Sequence, residues 1–420
     1  MSKNTFEMLK ERGYVYQTTH EEEIKKIING EPITFYLGID PTADSLHIGH
    51  FFALMLFRHL QDAGHKGILL VGGATAMIGD PSGKSDMRKM ITKEEVQRNV
   101  EEVKTLAKNF IKTDGDNPAI IVNNADWINQ YGYIDFMRDV GIHFNINVML
   151  AAEAYANRLA EGGLTFLEMG YMLMQAYDFV YLNKKYGCKL QIGGSDQWGN
   201  IVAGSNLGRK MSIAEGAEKD EMFGMTNPLL MTNDGKKMGK TETGTLWVAR
   251  EKTTVFDFYQ YFYNVKDEDV ETLLRLFTRV EIEKIIDLCK NDIMGAKRIM
   301  AFEVTKLVHG EEEAQKAQET AISLFTGGTD NTSMPTTALS DSDFDDNGRI
   351  SIIDLLLATN LALNEQKKPS KGEARRLIDQ GGINVGEEKV SGIDFYVSKE
   401  DIANGLIIKK GKKVFHKVIL

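Results

Sequence analysis

The sequence contains few cysteines and no long apolar run. Only Cys188 and Cys289 occur among its 420 residues, so we expect neither a disulfide framework nor a cysteine-based metal site. No segment approaches the roughly 18 apolar residues of a transmembrane helix, and the charged N-terminus lacks the apolar core of a signal peptide. We therefore expect a protein of the reducing cytoplasm, built from two or three domains.

The net charge of −10 gives no sign of a polyanionic partner, but the charge is unevenly distributed. The last twelve residues contain no acid and five lysines, namely Lys409, Lys410, Lys412, Lys413 and Lys417. Salt screens charges that lie beyond about 8–10 Å, so a basic end of an acidic chain can still bind a polyanion locally. The alternative is a solvated lysine tail, and charge alone leaves both interpretations open.

Short apolar segments alternate with longer segments of helical spacing through the first half of the chain. We predict strands at residues 33–39, 68–71, 120–122 and 189–192. We predict helices at residues 48–60, 93–110 and 164–182. This alternation predicts an α/β fold with a Rossmann-like parallel sheet covered on both faces. Ligands of such sheets bind beyond the carboxyl ends of the strands, so we look for chemistry in the loops there.

The second half of the chain has a different pattern. Residues 251–325 show helical spacing without a clear strand, which predicts an α-helical domain. Residues 326–350 are rich in Gly, Thr, Ser and Asp, which is typical of a linker. Residues 351–420 form a mixed segment, which predicts a small α+β domain. The first 250 residues then form the domain with the parallel sheet.

The segment YLGIDPTADSLHIGH, residues 36–50, joins a predicted strand to a predicted helix through a turn. The start of a helix presents free N–H groups and a partial positive charge, which suits phosphate. His47 and His50 lie on one face of the first helical turn and can donate to phosphate oxygens. Gly49 lets a ligand approach the main chain. Alone, two histidines at a helix start are more often capping and surface residues than catalytic ones.

Two further segments have a strand, a glycine pair and a polar turn in that order. They are GGATAMIGDPSGK at residues 72–84 and QIGGSDQWGN at residues 191–200. In the second segment, Ser195, Asp196 and Gln197 could meet a ribose and an ammonium group. Each pattern is also typical of ordinary turns, so neither is specific when taken alone.

A polar stripe interrupts an otherwise apolar predicted helix. Tyr171, Gln175 and Asp178 lie at positions i, i+4 and i+7, on one face. Because a buried carboxylate needs partners, this stripe is either a satisfied core network or part of a binding site.

A lysine-rich segment, KKMGKT at residues 236–241, follows an Asn-Asp-Gly turn. Two lysines separated by glycine suit a departing pyrophosphate group. The alternative is a surface lysine loop.

These five segments occur together, in the chain order 36–50, 72–84, 171–178, 191–200 and 236–241, and the chain resembles the tyrosyl-tRNA synthetase family of bacterial type. Residues 40–50 are similar to the HIGH signature of class I aminoacyl-tRNA synthetases, and residues 237–241 are similar to their KMSKS loop. Residues 171–178 and 193–200 resemble the tyrosyl enzymes in particular. The resemblance covers nearly the whole chain.

The resemblance implies a tyrosine–tRNA ligase reaction, in which the tyrosine carboxylate attacks the α-phosphate of ATP and tRNA(Tyr) then takes the tyrosyl group. ATP with Mg²⁺ is the implied cofactor, with no tightly bound group. Catalysis then consists of positioning and charge stabilisation on phosphate. The residues that match the family's catalytic positions are Thr42, His47, His50, Lys84, Arg88, Lys237, Lys240 and Thr241.

The resemblance also implies the substrate contacts. The tyrosine-binding positions are the phenol partners Tyr36 and Asp178, the ammonium partners Asp80, Tyr171 and Gln175, and Gln197. The ATP-binding positions are Asp40, Gly49, Gly194, Asp196 and Lys240. One position departs from the family, because Leu37 stands where some members carry a cysteine that faces the ribose. Leucine cannot make that hydrogen bond, so we expect weaker ATP affinity there.

Residues 369–390 resemble an S4-type RNA-binding domain, with Arg375 and Arg376 on a helix before a glycine pair. The resemblance implies contacts with tRNA, mainly through phosphates, and a homodimer without a membrane partner. Three alternatives stay open, namely a tryptophanyl enzyme, a catalytically silent RNA-binding protein and a small-molecule nucleotidyltransferase. The matched Tyr36 and Asp178 argue against a tryptophanyl enzyme. His47 and the lysine loop argue against a catalytically silent protein, and the S4-like segment argues against a small-molecule nucleotidyltransferase.

Overall fold

The computed structural model describes residues 4–82, 90–216, 221–235, 237–241, 244–326, 334–364, 368–403, 405–411 and 414–420. At residues 240, 241, 244 and 324–326 it describes the main chain alone. The chain forms two compact units. One contains residues 1–239 with 271–285, and the other contains residues 240–270 with 286–420.

A six-stranded sheet organises the first unit. Its strands are β1 (Gln17–Thr18), β2 (Thr34–Ile39), β3 (Lys66–Val71), β4 (Ile120–Asn123), β5 (Cys188–Gly194) and β6 (Phe223–Asn227). Their order across the sheet is β1-β6-β5-β2-β3-β4. Only the short edge strand β1 runs antiparallel to its neighbour, and the other pairs are parallel. The predicted α/β fold with a parallel sheet is therefore confirmed.

Ten helices accompany this sheet in the described part of residues 1–239. They are α1 (Thr5–Arg12), α2 (Glu21–Ile28), α3 (Ile48–Asp62), α4 (Lys93–Ala107), α5 (Ala125–Ile128), α6 (Tyr133–Asp139), α7 (Ile146–Leu150), α8 (Glu153–Glu161), α9 (Phe166–Tyr186) and α10 (Trp198–Ala214). The helix predicted at residues 164–182 is longer at its C-terminal end. It begins after Thr165, which forms a capping box with Glu168. It ends at Tyr186, and the following Gly187, which has a left-handed φ of 64°, is its C-cap.

The core of this unit lies where the sheet meets α9 and α10. Ile68 and Leu70 of β3 belong to one buried cluster with Phe179 of α9 and Leu207 of α10. Burial of each such side chain contributes about 1.5–3 kcal/mol, before the cost of conformational entropy. Because α9 is packed into this core, its polar stripe is held at a fixed position relative to the strands.

Residues 240–326 are mainly helical, as predicted for 251–325. They contain β7 (Lys240–Thr241), β8 (Gly244–Thr245), α11 (Val255–Tyr263), α12 (Asp267–Phe277), α13 (Ile282–Asn291), α14 (Ile293–His309) and α15 (Glu311–Thr326). The two strands form a short antiparallel hairpin. No helix in the described residues is both long and apolar enough to cross a membrane.

The C-terminal residues form a small α+β structure. Its elements are β9 (Thr336–Ala338), β10 (Arg349–Ser351), α16 (Ile352–Ala358), α17 (Lys371–Asp379), β11 (Ile383–Val385), β12 (Glu388–Lys389), β13 (Tyr396–Ser398), α18 (Lys399–Ile402), β14 (Leu406–Lys410) and β15 (Val414–Ile419). Five strands pair in the order β12-β11-β14-β15-β9, and β10 pairs with β13. Leu355, Ile408 and Val418 are fully buried in its core.

Ordered structure occurs within the segment whose composition is typical of a linker, residues 326–350. β9 pairs in parallel with β15, and Leu339 is buried in the C-terminal core. Thr336, Thr337 and Ala338 contribute main-chain hydrogen bonds at a sheet edge and little apolar area, so composition alone gave no sign of the strand.

Candidate active site

The candidate residues of the first unit meet beyond the carboxyl ends of β2, β3 and β5. Asp40 follows β2, Gly72 follows β3, and β5 ends at Gly194. Close packing at this edge requires glycine at position 72. A Cβ atom there would lie 2.0 Å from Asp40 Oδ1 and 2.3 Å from Thr75 Oγ1. The predicted glycine pair therefore makes room for polar side chains from neighbouring loops.

Hydrogen bonds at the start of α3 fix the ring positions of His47 and His50 and the nitrogen that carries each proton. His47 caps α3, because its Nδ1 accepts hydrogen bonds from the N–H groups of Gly49 (3.1 Å) and His50 (3.3 Å). In return, His50 Nδ1 accepts from the His47 N–H at 3.4 Å, and the rings stack with centroids 3.8 Å apart. Since both Nδ1 atoms accept, the proton of each neutral ring lies on Nε2. A Cβ atom at Gly49 would lie 2.9 Å from the His47 ring.

The Asp178 carboxyl of the site is deeply buried, at 1% exposure. Trp127 Nε1 donates to its Oδ1 at 2.8 Å, and Asn124 Nδ2 donates to its Oδ2 at 3.0 Å. Burial raises the pKa of Asp178 to about 8, although the hydrogen bonds from Asn124 and Trp127 oppose that rise. Asp40 adds a smaller upward contribution to this pKa.

Tyr36 lies on β2 close to Asp178 and is 1% exposed. Burial raises its pKa well above the ordinary value, and the nearby Asp178 contributes to the same shift. Its hydroxyl has no hydrogen-bond partner among the residues that the structure describes. The neighbouring Leu37 is buried as well, at 2% exposure.

A chain of hydrogen bonds connects Asp178 to the end of β2. The Asn124 amide donates both to Asp178 and to Thr75 Oγ1 (3.1 Å). Thr75 Oγ1 donates to Asp40 Oδ1 at 2.7 Å, and the Tyr171 hydroxyl donates to Asp40 Oδ2 at 2.9 Å. Asn124 and Trp127 lie outside the motifs seen in the sequence, and Thr75 lies within the segment at residues 72–84 without being singled out there. The position of Asn124, two residues after the predicted strand at 120–122, could have indicated such a role.

A second group of polar side chains surrounds Asp80, which is 5% exposed. The Ser82 N–H donates to Asp80 Oδ1 at 2.9 Å, and Gln197 Nε2 donates to Oδ2 at 2.6 Å. Gln175 Oε1 is buried without a hydrogen-bond partner in the described part of the chain. Asp196, beside Gln197, is exposed to solvent.

The remaining candidate residues lie in the first unit, in the second unit or outside the described residues. Thr42 follows β2, and its N–H donates to the Asp40 carbonyl at 2.8 Å. Lys237 is exposed and forms an isolated bridge with Met231 in the first unit. Lys240 and Thr241 form β7 of the second unit, without described side chains. Lys84 and Arg88 lie outside the described residues. On α17 of the second unit, Arg375 and Arg376 are exposed.

Comparison with known proteins places this chain in a family. A family model described as "tRNA synthetases class I (W and Y)" matches residues 28–326. The chain therefore belongs to the class I tRNA synthetases that act with tryptophan or tyrosine. A second model, described as "Tyrosine--tRNA ligase SYY-like C-terminal domain", matches residues 331–418.

Full-length relatives narrow the assignment. The chain is 52% identical over 421 residues to a tyrosine–tRNA ligase of Acetivibrio thermocellus, with 99% of each chain covered. It is 49% identical to a tyrosine–tRNA ligase of Clostridium tetani, with 100% of each covered. A truncated mitochondrial tyrosyl-tRNA synthetase of Coccidioides posadasii is 30% identical with a TM-score of 0.66, covering 76% of this chain and 91% of that one. Within its class, the chain belongs to the tyrosine–tRNA ligases, which confirms the resemblance seen in the sequence.

Proposed function

We propose that the chain activates L-tyrosine with ATP, giving tyrosyl-adenylate and pyrophosphate, and then transfers the tyrosyl group to the 3′ end of tRNA(Tyr). The observation that carries this proposal is the pair of buried polar atoms without partners in the described site, the Tyr36 hydroxyl and Gln175 Oε1. Such an atom costs about 1–3 kcal/mol when it stays unpaired. Tyrosine offers a group to each, its phenol to Tyr36 and its ammonium to Gln175.

Discrimination against phenylalanine follows from the buried phenol end. Tyr36 and Asp178 contact the substrate hydroxyl, and Asn124 and Trp127 hold the Asp178 carboxyl in place. Phenylalanine would leave these buried groups without the hydroxyl that they bind, so it enters at a free-energy cost. The ammonium group binds at the other end, among Asp80, Tyr171, Gln175 and Gln197.

The tyrosine brings its own nucleophile to the reaction. Its carboxylate attacks the α-phosphate in line, one P–O bond forms, and the bond to the departing pyrophosphate breaks. The Nε2–H groups of His47 and His50, at the N-terminus of α3, donate to phosphate oxygens as charge develops there. The remaining residues assigned to phosphate binding are Thr42, Lys84, Arg88, Lys237, Lys240 and Thr241.

ATP enters as its Mg²⁺ complex, and the ion supplies positive charge at the phosphates. Asp40 and Asp196 provide acceptors for the ribose hydroxyls. Gly49 and Gly194 allow the nucleotide to approach the main chain, where a side chain would clash with His47 and Asp196 respectively. Lys240 completes the ATP-binding set.

We assign tRNA binding to the two domains that follow the catalytic domain at residues 1–250. These are the helical domain at 251–325 and, beyond the segment 326–350, the S4-like domain at 351–420. Arg375 and Arg376 of α17 are exposed and suit phosphate contacts. We also assign the protein to the cytoplasm, as the bacterial type of the family implies.

We further propose that the protein is a homodimer. Residues 133–166 expose large apolar side chains, and single monomers rarely expose so many in one segment. The exposed apolar side chains of this segment, each at least 60% exposed, are Tyr133, Ile134, Ile142, Ile146, Val148 and Phe166. We expect Val148→Asp to halve the mass measured by light scattering after size exclusion. A wild-type protein that elutes as a monomer at micromolar concentration would contradict the proposal.

ATP–pyrophosphate exchange tests the proposed activity directly. We expect exchange with tyrosine and none above background with tryptophan or phenylalanine. His47→Asn serves as a matched variant, because it keeps an acceptor for the α3 cap while it removes the ring N–H. Exchange with tryptophan instead of tyrosine, or no exchange by folded protein, would refute the assignment.

A further inference from the structure

Helix α8 is bound to the first turns of α9 through the hydroxyl of Tyr155. Tyr155 is 1% exposed, and it packs with Met172 and Leu173 in a small buried cluster. Its hydroxyl lies within hydrogen-bond distance of the carbonyl oxygens of Glu168 (3.3 Å) and Met169 (3.0 Å). It also accepts from the Met172 N–H at 3.3 Å. One side-chain oxygen therefore contacts three main-chain groups of α9, those of Glu168, Met169 and Met172.

A buried ion pair fixes the same turn from α8. Arg158 donates to Glu168 Oε1 through Nε (3.1 Å) and Nη2 (2.9 Å), and the two side chains are only 5% and 2% exposed. The other oxygen, Glu168 Oε2, accepts from the Thr165 N–H at 2.9 Å and from the Thr165 hydroxyl at 2.8 Å. The position of the first α9 turn is thus determined by α8 as well as by its own capping box.

These contacts lie beside one end of the substrate site and not the other. Tyr171 adjoins Met172 in the chain, and Gln175 lies one helical turn further along α9. Both are assigned to the ammonium group. Asp178, which is assigned to the phenol, has two side-chain partners of its own in Asn124 and Trp127. A small shift of the first two α9 turns would therefore affect the ammonium end first.

We propose that Tyr155 and Arg158 are positioning residues for the ammonium-binding end of the substrate site, acting through the α9 main chain. This inference rests on the proposed function, because it assumes that Tyr171 and Gln175 receive the ammonium group of tyrosine. Neither residue touches the substrate. They hold the two ammonium-binding side chains at the distance that the substrate requires, and such placement is sensitive to shifts of well below 1 Å.

The test compares two ligands that differ only in the ammonium group. We measure dissociation constants of tyrosine and of 3-(4-hydroxyphenyl)propionate by calorimetry for the wild type and for Tyr155→Phe. We expect the variant to bind tyrosine about three- to tenfold more weakly, the size of one buried neutral hydrogen bond. Its affinity for the propionate should change less than about twofold, since that ligand makes no ammonium contact.

Tyr131→Phe is the matched control. Tyr131 donates a hydrogen bond to the Tyr177 hydroxyl of α9 at 3.1 Å, so this variant loses a comparable bond without touching the α9 main chain at residues 168–172. It should bind both ligands as the wild type does. Arg158→Lys keeps the charge but loses the two-nitrogen contact, and it should weaken tyrosine selectively if Tyr155→Phe does not fold.

Three results would overturn the proposal. Equal weakening of both ligands would mean that Tyr155 serves the general stability of the site, and unchanged binding of both would mean that α9 is positioned without it. The same loss of tyrosine affinity in Tyr131→Phe would remove the specificity of the effect. A wild type that binds neither tyrosine nor the propionate would refute the proposed function itself, which distinguishes the two failures.

Discussion

We predict that the buried carboxyl of Asp178 makes tyrosine binding sensitive to pH. Its pKa of about 8 means that most molecules of the ligand-free protein hold this group protonated at neutral pH. Tyrosine donates its phenolic hydrogen to an acceptor, and the ionised carboxylate is the stronger acceptor. We therefore expect binding to select the ionised form, and tyrosine affinity to rise as the pH is raised towards 8.

The size of the effect follows from the ionised fraction. With a pKa of about 8, roughly 1% of the carboxyl is ionised at pH 6, roughly 9% at pH 7 and about half at pH 8. The apparent dissociation constant equals the intrinsic constant divided by the competent fraction. It should therefore fall about 50-fold between pH 6 and pH 8, which corresponds to about 2.3 kcal/mol.

Calorimetric titration with tyrosine at pH 6, 7 and 8, without ATP, measures this dependence. The matched variant is Asp178→Asn, which cannot ionise and should show a flat profile at lower overall affinity. Any contribution of histidine titration to the pH dependence of the dissociation constant occurs in both proteins and cancels in the comparison. A wild-type constant that changes less than about twofold over this range would refute the reasoning, and so would an equal slope in the variant.

Four further predictions concern other parts of the molecule. Asp178→Ala should lower the preference for tyrosine over phenylalanine in pyrophosphate exchange by about 10- to 100-fold, because the buried phenol contact is lost; unchanged selectivity would remove Asp178 from this role. Because the folded-state pKa of Asp178 lies near 8 and its ordinary value is 3.8, this group makes the wild type lose stability as pH rises from about 4 to 8. The free energy of unfolding in urea should therefore fall less steeply with pH for Asp178→Asn than for the wild type. An equally steep fall in both proteins would contradict this. Thr75→Val removes the hydroxyl between Asn124 and Asp40 and should raise the tyrosine dissociation constant about three- to tenfold, whereas Thr75→Ser should restore it. A chain that ends at Thr326 should still form adenylate but fail to charge tRNA, and normal charging by it would contradict the role of residues 351–420.

Local patterns in the sequence predicted most of the fold. β2, β3, β4 and β5 occur where apolar segments end in polar or glycine-rich turns, and α3 begins at Ile48, directly after His47. These features depend on neighbours in the chain, so a local pattern contains the necessary information. β9 was missed because its pairing with β15 joins residues about 80 positions apart, and Thr-Thr-Ala has no apolar alternation.

The candidate site was predictable only in part, for a related reason. The resemblance supplied the residues that we assign to ligand contact, but the residues that hold those side chains are recognisable only from tertiary contacts. Trp127 meets Asp178 from a position 51 residues earlier in the chain, and Thr75 meets Asp40 across 35 residues. Nothing in the neighbourhood of Trp127 distinguishes it from an ordinary core residue. Thr75 lies in the glycine-rich segment at residues 72–84, but nothing there indicates that its hydroxyl bonds to Asp40.

The hydrogen-bond chain explains how a site with several buried acceptors can be rigid before the substrate arrives. Asn124 donates to Asp178 and to Thr75, so its amide has a fixed orientation. Because Thr75 accepts from Asn124, its own hydrogen points to Asp40. Hydrogen bonds therefore connect the residue assigned to the phenol with the residue assigned to the ribose. Preorganised polar groups of this kind lose little energy in reorienting when the reaction begins, and that is the form in which such a site stabilises developing charge.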